Sequence, residues 1–168
     1  MLDALWYHKA NMQHVYFVLL FLAALWKGAA PERILATTLA GAMALHLLAH
    51  LVLASAMLWR QADLVHLALD SMVFAVVIPV ALRANRVYPL WLGAAQIIAM
   101  MAHAYRLSLT EINRFAYDMM SMIPSYIQLV ALTLGLAWHA ARRRRIGDYP
   151  SWSSAFAPPA QAGRLPQR

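Results

Sequence analysis

The chain has 168 residues, of which 62% are hydrophobic and only 12% charged, with mean hydropathy +0.55 and no cysteine. That is too apolar for a water-soluble domain of this length, and the lack of cysteine excludes structural disulfides, Cys-ligated zinc, iron–sulfur clusters and thiol redox chemistry. The net charge of +7 does not argue for nucleic acid as a partner, because Lys and Arg gather at the ends of apolar segments and in the run Arg142, Arg143, Arg144, Arg145, the pattern of charges that set topology and rest against anionic lipid.

Five apolar stretches follow one another over residues 11–26, 34–58, 64–82, 88–107 and 115–139, each near the roughly 20 residues a bilayer requires. They predict an all-α, polytopic transmembrane bundle of about five spans over residues 1–146. The first stretch is short, so it tilts or thins the bilayer locally. It follows no basic n-region and precedes no small-residue cleavage site, so it is expected to stay as a helix. Pro31 and Pro89 suit the opening turns of the second and fourth spans. Pro79 and Pro124 fall inside spans, where each removes a backbone donor; Ser121 and Ser125 flank Pro124 and can satisfy a freed carbonyl. Residues 147–168, rich in proline and small polar residues, predict a disordered cytoplasmic tail.

Placing the arginine run in the cytoplasm puts Lys27, Arg33, Arg83 and Arg86 inside with it, against Lys9, Arg60, Arg106 and Arg114 outside. The N-terminus is then outside and the C-terminus inside, in a cell inner membrane. Trp6, Tyr7, Trp26, Trp59, Tyr88, Trp91, Tyr105 and Trp138 read as interfacial aromatic belts.

With that topology the ionisable residues fall on one side. His14, His50, His66, Asp70, His103 and Asp118 take outer positions, with His46, Gln96 and Gln128 near the centre. His46 and His50 are four apart, as are His66 and Asp70, so each pair shares a helix face. Gln96, Met100 and His103 form a stripe on the fourth span, and Asp118, Ser121, Ser125 and Gln128 one on the fifth. Together these stripes predict a polar column opening toward the periplasmic half. The cytoplasmic half of the spans is expected to hold almost no ionisable side chain.

Such a column suits a transition metal, with His46, His50, His66, Asp70 and His103 as candidate ligands, because neutral imidazole is the commonest protein ligand for zinc, copper and iron. The sharpest version is haem b in a small redox component, held by His50 and His103 as axial ligands. Asp118, Ser121, Gln96, Gln128 and His14 then serve as outer-sphere hydrogen-bond partners or a proton relay. Two other functions use the same residues. One is a non-catalytic accessory or assembly subunit of a larger membrane complex or homo-oligomer, where the polar groups only join helices at about 0.6 kcal/mol per contact. The other is a proton or ion pathway. No catalytic motif is present: His46 is followed by Leu47, so the H-E-x-x-H zinc-protease pattern fails, and Glu111 reads as an exposed charge between Arg106 and Arg114.

The stretch ALRANRVYPLWLGAAQ, from Ala81 to Gln96 and continuing to His103, resembles a segment of uncharacterised small multi-pass membrane proteins of alphaproteobacteria. The resemblance implies a bacterial inner membrane and carries no activity.

Overall fold

The computed structural model describes residues 2–53, 59–108 and 114–153, without the side chains of residues 2–10, 53, 59–63, 114, 115, 117, 118 and 121. The described residues form five α-helices and no strand: α1 (Leu2–Lys27), α2 (Ala30–Leu53), α3 (Trp59–Arg83), α4 (Tyr88–Ser108) and α5 (Arg114–Ile146). The helices match the five expected stretches in number and order. Their ends extend further, by a turn or more at the start of α1 and α3 and by seven residues at the end of α5, because hydropathy stops at the first polar residue whereas helical hydrogen bonding does not. Pro31 and Pro89 are each the second residue of a helix, and Pro79 and Pro124 lie inside α3 and α5. Ser125 Oγ donates to the Met122 carbonyl at 2.8 Å.

Successive helices run up and down, with α4 between α3 and α5, α2 between α1 and α3, and α5 returning to α1 and α2. One end of the bundle gathers the α1–α2 and α3–α4 turns and the C-terminus of α5; we call it the arginine end. The other is the histidine end. The core is mainly aliphatic, built from residues such as Leu35, Val77, Leu92 and Leu132 together with Phe17. Polar side chains are set into that core and large apolar ones face outward: Glu32, Gln96, His103, Gln128 and His139 are buried, while Trp26, Leu51, Leu134 and Trp138 are more than 60% exposed. Two helical stretches, Ala30–Val52 and Leu64–Arg83, are long and apolar enough to cross a membrane.

Residues 147–153, expected to begin a disordered tail, are folded back on the α3–α4 turn. Gly147 closes α5 with φ +76°, its amide bonding the Arg143 carbonyl at 3.0 Å, in the left-handed conformation that glycine adopts without a Cβ penalty. The reversed chain then makes two backbone bonds, from the Asn85 amide to the Ser151 carbonyl and from the Ser153 amide to the Arg83 carbonyl, at 3.0 and 2.8 Å. Residues 154–168 lie outside the described residues.

The α4–α5 contact is tight at Gly135, where a Cβ would fall within 2.6 Å of three ring atoms of Tyr88. Gly135→Ala is therefore expected to lower stability in detergent by about 1–3 kcal/mol through overpacking. Gly41→Ala, on an open face of α2 with nothing within 4 Å, should leave stability unchanged or raise it by up to about 1 kcal/mol. Thermal unfolding of the two variants checks this, and an equal effect would contradict the packing at Tyr88.

Candidate metal centre

Three histidines meet on α2 and α3. His46 and His50 share one face of α2, and the antiparallel α3 brings His66 against it. His66 Nε2 lies 3.0 Å and His50 Nε2 3.1 Å from His46 Nε2. The three rings are 4.5 to 5.7 Å apart, and each residue offers a nitrogen within 4.8 Å of the other two. His46 and His66 are half-buried and His50 is exposed, so the cluster opens at the side of the α2–α3 pair.

The chemistry of this contact is constrained. A neutral imidazole nitrogen is either a donor or an acceptor, so one Nε2 facing two others satisfies them only through a shared proton or a shared cation. Tetrahedral zinc, with Zn–N near 2.0–2.1 Å, sets its ligand nitrogens roughly 3.3 Å apart. The two short contacts are within a few tenths of that value and all three nitrogens lie within 4.8 Å of one another, so the cluster offers three nitrogen donors to a metal ion.

Asp70, one turn along α3 from His66 and on the same side of the helix, turns its carboxylate to α4 instead of to α2. Its Oδ2 accepts from His103 Nε2 at 2.8 Å, so that nitrogen carries the proton. Gln96 Nε2 donates to the Asp70 carbonyl and to Oδ1, at 2.9 and 3.2 Å, while Gln96 Oε1 accepts from Gln128 Nε2 at 2.6 Å. One hydrogen-bonded chain thus joins α3, α4 and α5. Both Asp70 and His14 lie within electrostatic range of His46.

Of the expected site residues, the structure brings His46, His50 and His66 together in one group and Asp70, Gln96, His103 and Gln128 in a second. His50 and His103, the expected axial pair, turn Nε2 to different partners, His46 and Asp70. The side chains of Asp118 and Ser121 lie outside the described residues, and Ser125 meets α1 through Gln13, which donates to Oγ at 3.0 Å.

A polar cluster at the arginine end was not expected. Glu32 is fully buried, and its Oε1 contacts Arg86 Nε at 2.6 Å, a charge contact without an aligned hydrogen bond at Nε. The same oxygen accepts from Tyr88 Oη at 3.1 Å, and Oε2 from the Ala29 amide at 3.0 Å. Arg86 Nη2 and Tyr149 Oη both face His139 Nδ1, at 3.0 and 2.7 Å, so Nδ1 carries the lone pair. Glu32 and Arg86 lie just outside the expected spans, and their inward turn moves Tyr88 from the interfacial belt to the interior. The signal was Glu32 three residues after Ala29, half of a capping box with Pro31 inside it, which marks a carboxylate tied to a helix start. Nothing in the sequence pointed to Arg86 as its partner.

No family model matches the chain, and no curated protein and no solved structure matches it.

Asp70→Leu removes the acceptor of two buried donors on α4 and should lower stability by about 1–3 kcal/mol. Asp148→Ala breaks only the ion pair to Arg143, whose aspartate side chain is 85% exposed, and should shift stability by less than about 0.5 kcal/mol. Unfolding midpoints in detergent decide the matter; equal midpoints would reduce the Asp70 network to a surface contact.

Proposed function

We propose that this protein is an integral membrane protein that binds a transition-metal ion through His46, His50 and His66. The observation that carries the reading is the convergence of three imidazoles within 4.8 Å on two antiparallel helices. Three imidazoles favour zinc, copper or ferrous iron over magnesium or calcium, which prefer oxygen. A three-histidine site leaves a coordination position for water, substrate or a further protein ligand, and the exposed edge at His50 gives the ion a way in. Asp70 supplies negative charge nearby, favouring a cation at the triad. Haem b on His50 and His103 is a weaker reading, because the two residues turn Nε2 to different partners, His46 and Asp70, rather than toward a common space.

The proposed setting is a bilayer crossed by all five helices, N-terminus periplasmic and C-terminus cytoplasmic, in the inner membrane. It is supported by the many large apolar side chains on the exterior and by Trp26, Trp91 and Trp138, all exposed at the arginine end. Reporter fusions should therefore label Arg83 and Arg145 cytoplasmic and Arg60 and Arg106 periplasmic. The reverse labelling would place the histidine end in the cytoplasm.

A second reading, a proton path, rests on the continuous chain from Asp70 through Gln96 to Gln128. The metal reading is tested by equilibrium dialysis of purified protein against zinc and copper. One ion per chain is expected, with His46→Ala or His66→Ala weakening binding at least tenfold and acidification releasing the ion, since a protonated imidazole has no lone pair. A Soret band in purified protein, lost in His103→Ala, would favour haem instead. A colourless, metal-free protein that dissipates a proton gradient in vesicles, and loses that activity in Asp70→Asn, would establish the path; one that only co-purifies with a larger complex would make it an accessory subunit.

A further inference from the structure

An open cavity lies away from the histidine triad. It is a groove of about 1190 Å³ between α4 and α5 at the arginine end. Tyr126, Val130, Leu134 and Trp138 line it at four-residue intervals along one face of α5, and Leu90 and Trp91 of α4 face them. Four of these six side chains are more than half exposed, so the groove is open along its length. The next residue in the same register is Arg142, which also lines the groove.

Arg142 is held in place, its guanidinium stacked 4.3 Å from the centre of the Tyr149 ring. Among the described residues it has no carboxylate partner; Glu32 is taken by Arg86 and Asp148 by Arg143. The folded-back segment that positions Tyr149 also brings Ser153 to the same rim, beside Asn85. The groove is thus an apolar trough about 18 Å long from residue 126 to residue 138, ending in an unneutralised cation and hydrogen-bonding side chains. Its length is close to the roughly 15 Å hydrocarbon half of a bilayer.

We propose that the groove binds one anionic phospholipid of the cytoplasmic leaflet, its phosphate on Arg142 and an acyl chain along the α5 stripe. This rests on the bilayer setting proposed above and is independent of the metal. A zwitterionic lipid brings its own cation to the rim, so Arg142 selects for net negative charge. Arg86, which also lines the groove, is held by Glu32 and does not compete for the phosphate.

Native mass spectrometry of the full chain, released from phosphatidylcholine nanodiscs containing a minor share of phosphatidylglycerol, reads the bound lipid directly. The wild type should retain phosphatidylglycerol about fivefold above its share, the effect of roughly one surface charge. Arg142→Ala should return retention to the bulk ratio, whereas Arg145→Ala, in the same basic run but outside the groove, should keep the preference. Val130→Trp, which fills the trough at an exposed position, should reduce retention while leaving Arg142 untouched. Equal loss in Arg142→Ala and Arg145→Ala would overturn the site in favour of diffuse charge attraction, and displacement by inorganic phosphate would overturn the role of the acyl chain. A chain that stays outside the nanodiscs overturns the bilayer setting as well; one that inserts but shows no lipid preference overturns the groove alone.

Discussion

A carboxylate placed inside an apolar bundle must take its hydrogen bonds from neighbouring helices, and the way Asp70 does so organises half of this molecule. His103 and Gln96 both reach it from α4, and Gln96 in turn holds Gln128 on α5. These contacts fix the rotation of α3 about its own axis, which aliphatic packing alone leaves loosely determined because Leu, Val and Ala surfaces can slide past one another. A buried donor left without an acceptor costs about 1–3 kcal/mol, more than a typical hydrophobic contact between two such helices returns. The polar groups therefore specify the register, and the apolar ones fill the space around it.

Glu32 and Arg86 impose the same logic at the arginine end. Breaking a buried ion pair by removing one partner costs about 3–5 kcal/mol, even though the intact pair adds little net stability over an apolar substitute. What the pair contributes is position. It ties the start of α2 to the start of α4 across the core, and through His139 and Tyr149 it extends to the end of α5 and the segment folded back beyond it. Gly135, with the Tyr88 ring against its backbone, lets α4 approach α5 closely enough for that network to close.

The helices were legible in the sequence because hydropathy and chain length determine them locally. The His46/His50 pairing was legible for the same reason: a spacing of four places two side chains on one face whatever surrounds them. The partners across helices were not. His66 joins the two α2 histidines because of the rotation that Asp70 gives α3, and that rotation depends on residues 26 and 33 positions further along. Arg86 was read as a topology-setting charge since an arginine in a short loop ordinarily faces water; here the guanidinium turns inward to a carboxylate 54 positions earlier, a pairing that no local pattern encodes. The folded-back segment was hidden behind a composition that marks a disordered tail, because its order comes from contacts with distant residues: two backbone bonds to the α3–α4 turn, Tyr149 against His139 and Trp152 against the core.

The two histidine-end groups are held by neighbouring side chains of one helix that turn to different partners, and this gives the proposed metal site a mechanical connection to the rest of the bundle. His66 and Asp70 are a turn apart on α3, the first facing α2 and the second facing α4. A cation drawing His46, His50 and His66 onto common coordination distances would pull on α3 at His66, and Asp70 is the nearest point at which that helix is anchored. Because linkage is reciprocal, any ligand or proton that alters the Asp70–His103 contact must change affinity at the triad by the factor with which metal changes that contact. The coupling needs no contact between the two groups beyond the helix they share, and the stiffness of a helical turn is enough to transmit it.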